Sequence, residues 1–205
     1  MMTENEILKT FAETGALLSG HFELRSGLHS NRYFQCANLL RYPRIAARCC
    51  EDAVERLKAA GTADLSRIDG VISPAVGGII VGHEVARALD VKCVFAEKVQ
   101  AGEAKDASGK PLTKLAMRRF SLKPGERYIV AEDVVTRGGR VQETIDLVRA
   151  AGAEVAAVIV LVDRSEGKAQ FDCPTASLIK MSATVWEPAA CPLCAAGGKP
   201  VHPGS

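Results

Sequence analysis

The chain is predicted to fold as an α/β domain: a doubly wound parallel sheet flanked by helices, with a small N-terminal hood over the strand carboxyl ends. Three observations predict it. Apolar, β-branched runs of strand length recur at 68–73, 92–97, 128–135 and 157–163. Apolar residues at helical spacing lie at 45–60, 78–89 and 141–151, before and between those runs. The strand runs are apolar throughout instead of alternating, which marks strands covered on both faces and joined by right-handed helical crossovers.

Each segment has a place in that plan. Residues 1–40 hold a short amphipathic helix and then the turn-rich stretch SGLHSNRYFQCANLL, read together as the hood. The helix at 45–60 leads into the first sheet strand, which ends in Ser73-Pro74-Ala75-Val76-Gly77-Gly78 and opens the next helix. Residues 99–117 are polar, small and glycine-containing, close to the length at which structureless loops become uncommon inside a domain. Following a strand's carboxyl end, they are read as a mobile lid. The helix at 141–151 stops at Gly152, where a C-cap glycine belongs. Residues 165–205 form a C-terminal segment, and the whole of 1–205 is read as one domain.

Bulk composition excludes several classes of function. At 205 residues the chain is long enough to bury a full core. A net charge of +2 with the signs interspersed gives no basic stripe, so no nucleic acid or anionic membrane is expected as a partner. No apolar stretch approaches a membrane span, and the N-terminal residues carry acids where a secretory segment would be basic, so the protein is expected in the cytoplasm. Seven cysteines, an odd number, argue for reduced thiols. Cys191-Pro192-Leu193-Cys194 has a metal-like spacing, but no second such pair follows it. Only Cys173 and His202 are candidates to complete a zinc tetrahedron, and the favoured reading is two packed or free thiols.

The richest motif is YIVAEDVVTRGGR at 128–140: an apolar strand, two adjacent acids Glu132 and Asp133, Val134 and Val135, and then the loop Thr136, Arg137, Gly138, Gly139 and Arg140. Successive backbone N–H groups at such a loop, with the positive end of the following helix, make a seat for a phosphate. A carboxylate pair beside an anion seat is repulsive unless something neutral or cationic lies between, and a ribose with its hydroxyls, with or without Mg²⁺, fits that gap. A P-loop is excluded because Arg140 and Val141 follow the last glycine, and the dinucleotide fingerprint because 77–82 lacks its middle glycine. Ala75, Val76 and Gly77 form a second turn able to present N–H groups to an anion. Two such turns suit a substrate charged at both ends.

The acid pair followed by a Thr–Gly-rich loop resembles the phosphoribosyl-diphosphate signature of type I phosphoribosyltransferases. Leu24-Arg25-Ser26-Gly27, then Ser30, then Tyr33-Phe34 resembles the base-binding hood of one branch, the orotate phosphoribosyltransferases. Similarity runs from about residue 15 to about 164. It implies the type I phosphoribosyltransferase fold and transfer of a phosphoribosyl group to orotate, with Mg²⁺ held mainly by the substrate's diphosphate and by water instead of by protein ligands. It also implies a homodimer with shared active sites.

Carried onto this chain, the resemblance puts Glu132 and Asp133 on the ribose hydroxyls and the loop 136–140 on the 5′-phosphate, with Thr136 also touching orotate. Arg164 would pair with the orotate carboxylate, Tyr33 and Phe34 would line the base pocket, and Arg25 would approach the ligands. Lys98 would meet the diphosphate. The lid cation is Lys105, or else Arg118 or Arg119. Two departures stand out: Glu97 where relatives carry Arg, and Gly77 where they carry Lys. Transfer to a purine, a regulator that binds RNA and a catalytically idle relative are the competing readings; the LRSG segment, Arg164 and the near-neutral charge weigh against them.

Overall fold

The parallel sheet forms around the four expected strands and gains one strand at each edge. A computed structural model describes residues 1–24, 26–105, 109, 111–182 and 184–202. In chain order the main elements are α1 (Glu4–Glu13), β1 (Leu17–Glu23), β2 (His29–Phe34), α2 (Ala37–Leu40), α3 (Pro43–Ala60), β3 (Gly70–Pro74), α4 (Gly78–Leu89) and β4 (Lys92–Lys105). There follow β5 (Pro111–Ala116), β6 (Arg127–Val135), α5 (Gly139–Ala150), β7 (Glu154–Asp163), β8 (Thr175–Lys180), β9 (Val185–Trp186) and α6 (Pro192–Ala195).

The larger sheet has the order β5-β4-β3-β6-β7-β8, parallel throughout except for the antiparallel edge pair β4–β5. Side chains alternate across it with the period of two that a pleated strand imposes. Ile129, Ala131, Ile159 and Leu161 face one core, with Ile7 and Phe11 of α1, Leu57 of α3 and Val81 and Val85 of α4. Tyr128, Val130, Val158 and Val160 face the other, against Val141, Ile145 and Val148 of α5. The sheet is therefore doubly wound. From β3 the chain crosses outward to β4, and from β6 it crosses the opposite way to β7. The order reverses between β3 and β6, and a crevice opens at the carboxyl ends of strands on either side of such a reversal.

Three expectations change. Segment 99–117 is not a structureless loop: β4 runs on to Lys105 and β5 returns, pairing Val99 with Lys114 and Gln100 with Thr113. Its side chains are mostly exposed, so backbone hydrogen bonds make the hairpin and no apolar alternation announces it. The helix of residues 1–40 does not join the hood; α1 starts with a Thr3–Glu6 capping box and buries Ile7 and Phe11 in the main core. The hood takes material from the C-terminal segment instead, forming the antiparallel sheet β1-β2-β9 with Val201 bridging to Phe22. The same C-terminal segment supplies β8, whose Ala176, Leu178 and Ile179 close the sheet edge.

Gly70 starts β3, the strand that carries the Pro74–Gly78 turn. A Cβ there would meet Tyr128 Cε1 at 2.8 Å and the Lys92 backbone oxygen at 3.1 Å, and Tyr128 is fully buried. Gly70→Val should therefore cost about 1–3 kcal/mol through overpacking, read from the urea midpoint. An unchanged midpoint would mean that β3 and its neighbours can separate freely.

Candidate active site

The crevice holds a cavity of about 500 Å³ lined by Glu132 and Asp133, the loop from Val134 to Arg140, Val141 and Glu143 of α5, and Thr113 of β5. The chain turns from strand to helix here through Gly138, whose φ of +78° is a left-handed conformation. A Cβ at Gly138 would also stand 3.0 Å from Ala169 Cβ and 3.1 Å from the Phe171 ring. Only glycine meets both demands. The first turn of α5 then points free N–H groups at the cavity, where an anion is favoured.

The two acids sit where β6 ends. Glu132 Oε1 accepts a hydrogen bond from Asp133 N at 3.0 Å, and Asp133 Oδ1 accepts one from Val134 N at 2.7 Å. Burial, and then the Asp133 charge beside it, push the Glu132 carboxyl well above the usual carboxylate range. The turn after β3 closes onto this pair. A Cβ at Gly77 would lie 2.9 Å from Asp133 Oδ2, and one at Gly78 would lie 3.0 Å from Glu132 Oε1. That Cβ at Gly78 would also crowd Ser73 and Pro74, at 3.1 and 3.2 Å. Packing thus explains Gly78, whereas Gly77 is held open by the carboxylate it faces; a Lys side chain there would start against Asp133.

Two lining residues carried no expectation from the sequence. Glu143 Oε2 is 2.6 Å from Arg140 Nη1, and its Oε1 accepts from Leu115 N at 2.6 Å. Arg140 Nη2 also reaches Thr113 Oγ1 at 3.4 Å. The returning strand of the hairpin is thereby tied to the loop. Glu143 was detectable as an acid one helical turn after Arg140; Thr113 had no signal, since only strand pairing brings it here.

On the hood side, Arg164 follows β7 and donates its backbone N–H to Val135 O at 2.8 Å. Its guanidinium carbon lies 5.1 Å from the centre of the Phe34 ring, and its buried Nε has no hydrogen-bond partner among the described residues. Burial lowers its pKa, opposed by nearby Cys36 and Tyr33. Phe34 also meets Phe11 edge-on, while Tyr33 packs against Phe22 at 5.8 Å. The aromatic neighbours thus point to opposite faces of β2.

The remaining expected residues do not line the cavity. Ala75, Val76 and Gly77 stand across the crevice, with Val76 82% exposed. Lys98 is exposed on β4, and Lys105 is exposed at its end. Arg118 is exposed, and Arg119 pairs with Glu97 at 3.2 Å, so an arginine does reach position 97 from the following segment. Arg25 and the lid residue Asp106 lie outside the described residues.

This combination of fold and crevice is that of a phosphoribosyltransferase. The family model for the phosphoribosyl transferase domain matches residues 37–193. Over 205 residues the chain is 44% identical to an orotate phosphoribosyltransferase of Desulforamulus reducens, covering 100% of this chain and 98% of the relative. It is 46% identical to that of Carboxydothermus hydrogenoformans, covering 98% and 97%. A crystal structure of orotate phosphoribosyltransferase from Aeropyrum pernix superposes with a TM-score of 0.67 at 26% identity, covering 85% of this chain and 93% of that one. The chain belongs to the orotate phosphoribosyltransferase family.

The raised Glu132 pKa has a consequence for stability. A carboxyl whose folded pKa exceeds its unfolded one stabilises the fold below the unfolded value and loses that contribution as the pH climbs toward the folded one. The ligand-free protein should therefore lose stability from about pH 4.5 to about pH 9 through this group. Glu132→Gln should flatten that slope and raise the melting temperature at the upper end. An identical slope in the variant would mean that Glu132 ionises freely.

Proposed function

We propose that this chain transfers the phosphoribosyl group of 5-phosphoribosyl 1-diphosphate to orotate, giving orotidine 5′-monophosphate and diphosphate on the route to UMP. The observation that carries the reading is Arg164: a half-buried guanidinium over the Phe34 ring and near Cys36 and Tyr33, with a buried Nε that lacks a partner among the described residues. A planar carboxylate on a planar base answers that fork.

The roles follow from position. The loop 136–140 and the first turn of α5 hold the 5′-phosphate. Glu132 and Asp133 hold the ribose hydroxyls, and Thr136 and Arg164 orient orotate with its ring nitrogen toward C1′. Tyr33 and Phe34 frame the base, and Arg25 approaches it. Ala75, Val76, Gly77 and Lys98 face the diphosphate. As the C1′–O bond breaks, its electron pair leaves with diphosphate; the orotate nitrogen pair forms the new bond, and its N–H proton passes to the departing diphosphate or to solvent. Positive character on the ribose is met by carboxylates already fixed in place. Such charge also favours ionised Glu132, so ligand binding reverses the upward shift seen without it.

Mg²⁺ fits the donor set, since hard carboxylate oxygens face the Gly77 turn where diphosphate would lie. When bound with the diphosphate, it neutralises charge on the leaving group. Lys105, at the exposed end of the hairpin and away from its own cavity, suits a cation that reaches the site of a second subunit, and we assign a homodimer on that basis. Arg118 remains an alternative lid cation. Closure of the segment 99–117 would keep water from the cationic sugar. Among the described residues no helix is long and apolar enough to cross a membrane, which agrees with a cytoplasmic enzyme.

Incubating the protein with Mg²⁺, phosphoribosyl diphosphate and a panel of free bases should consume orotate alone. Asp133→Asn should keep the fold and lower kcat about a hundredfold or more; unchanged turnover removes the acid pair from the mechanism. Arg164→Ala should raise the KM for orotate at least about tenfold with little change for phosphoribosyl diphosphate. Equal losses for both substrates would misplace the base pocket.

A further inference from the structure

Four side chains that this reaction does not use converge outside the cavity, in the hood. His21 is on β1 and His29 on β2; Cys191 caps α6 and Cys194 lies within it. Their ligand atoms all lie within 4.8 Å of one another. His21 Nε2 is 3.0 Å from His29 Nδ1, 3.4 Å from Cys191 Sγ and 3.7 Å from Cys194 Sγ. Cys194 Sγ is 3.3 Å from His29 Nδ1.

Those separations can be compared with a metal's. Zinc binds nitrogen at about 2.0–2.1 Å and sulfur at about 2.3 Å, so a tetrahedron around it has edges of about 3.4 Å between nitrogens and about 3.6 Å between nitrogen and sulfur. The four distances scatter around these edges. Hydrogen bonding does not account for the cluster equally well: one N–H satisfies the two imidazole nitrogens, and thiols are weak donors and weak acceptors. Nor does it explain the His21 ring orientation, because its buried Nδ1 has no partner among the described residues and its Nε2 is turned toward the other three ligand side chains.

We propose that His21, His29, Cys191 and Cys194 bind one zinc ion in a closed, structural site. Four protein ligands leave no position for substrate or a reactive water. Cys191-Pro192-Leu193-Cys194 supplies the two thiolates from one tight turn, in which Ala195 N donates to Cys191 O at 3.1 Å and Gly198 N to Leu193 O at 2.9 Å. The other two ligands come from a hairpin at the opposite end of the chain, where Phe22 pairs with Ser30 and sets His21 near His29. The downstream candidates take no part. Cys173 packs under α5, and His202 Nδ1 lies 3.1 Å from Glu23 O.

The site has a mechanical role. β9 has only two residues, pairing with His29 and Ser30, and few apolar side chains of residues 188–202 are buried. A zinc ion staples this segment to β1 and β2 where the apolar core is thin. β2 continues to Tyr33 and Phe34, so the staple steadies the strand beneath Arg164.

The test is metal content of the full chain, expressed with zinc and desalted over a chelating resin. Wild type and Cys173→Ser should each retain one zinc per chain by plasma mass spectrometry. Cys191→Ser combined with Cys194→Ser should fall below a tenth of that. Because the double variant is at risk of misfolding, wild type stripped of zinc and loaded with Co²⁺ gives a second readout: tetrahedral ligand-field bands with thiolate charge transfer, weakened in His21→Ala. Zinc-free wild type with an octahedral cobalt spectrum overturns the proposal. So does zinc content indifferent to the cysteine pair, or a Cys191–Cys194 disulfide in freshly lysed cells. Orotate transfer enters none of these readouts, so failure of the proposed reaction leaves them intact.

Discussion

Setting two carboxyl groups side by side at the end of a buried central strand is costly, and the architecture around the crevice follows from that constraint. Glu132 and Asp133 keep their places because backbone N–H groups bind one oxygen of each and because the turn after β3 meets them with glycines instead of side chains. The unfavourable element is electrostatic. It is relieved by anything that brings positive character between the acids and the anion-binding loop. Preorganised charge of this kind requires no rearrangement when positive charge develops beside it.

The same crevice is coupled to the long hairpin. Glu143 joins Arg140 of the loop to the backbone of β5, and Arg140 reaches Thr113. The hairpin root is therefore fixed to the glycine loop after β6, while Lys105, farther out, is exposed.

The two ends of the chain meet in the hood. β1 and β2 lie near the N-terminus, β9 and the Cys191–Cys194 turn near the C-terminus, and a small antiparallel sheet unites them. Three short strands bury little apolar surface, so polar cross-links have more influence here than in the main core, where α1, α3 and α4 cover one sheet face and α5 the other.

The sequence by itself determined the parallel sheet, its helices, the acid pair and the glycine loop, because each is a local signal: apolar runs, helical spacing and contiguous turn residues. The likeness of 24–34 to a base-binding hood was legible for the same reason. Tertiary structure decided what depends on pairing between distant segments. It paired residues 97–105 with 111–116 through backbone hydrogen bonds that no side-chain pattern encodes, and it moved α1 from the hood to the core. It opposed Tyr33 to Phe34 across β2, and brought Thr113, Glu143 and the His21–His29 pair to partners between 27 and 173 residues away. Register and close approach are properties of two segments at once, and a reading made one segment at a time does not contain them.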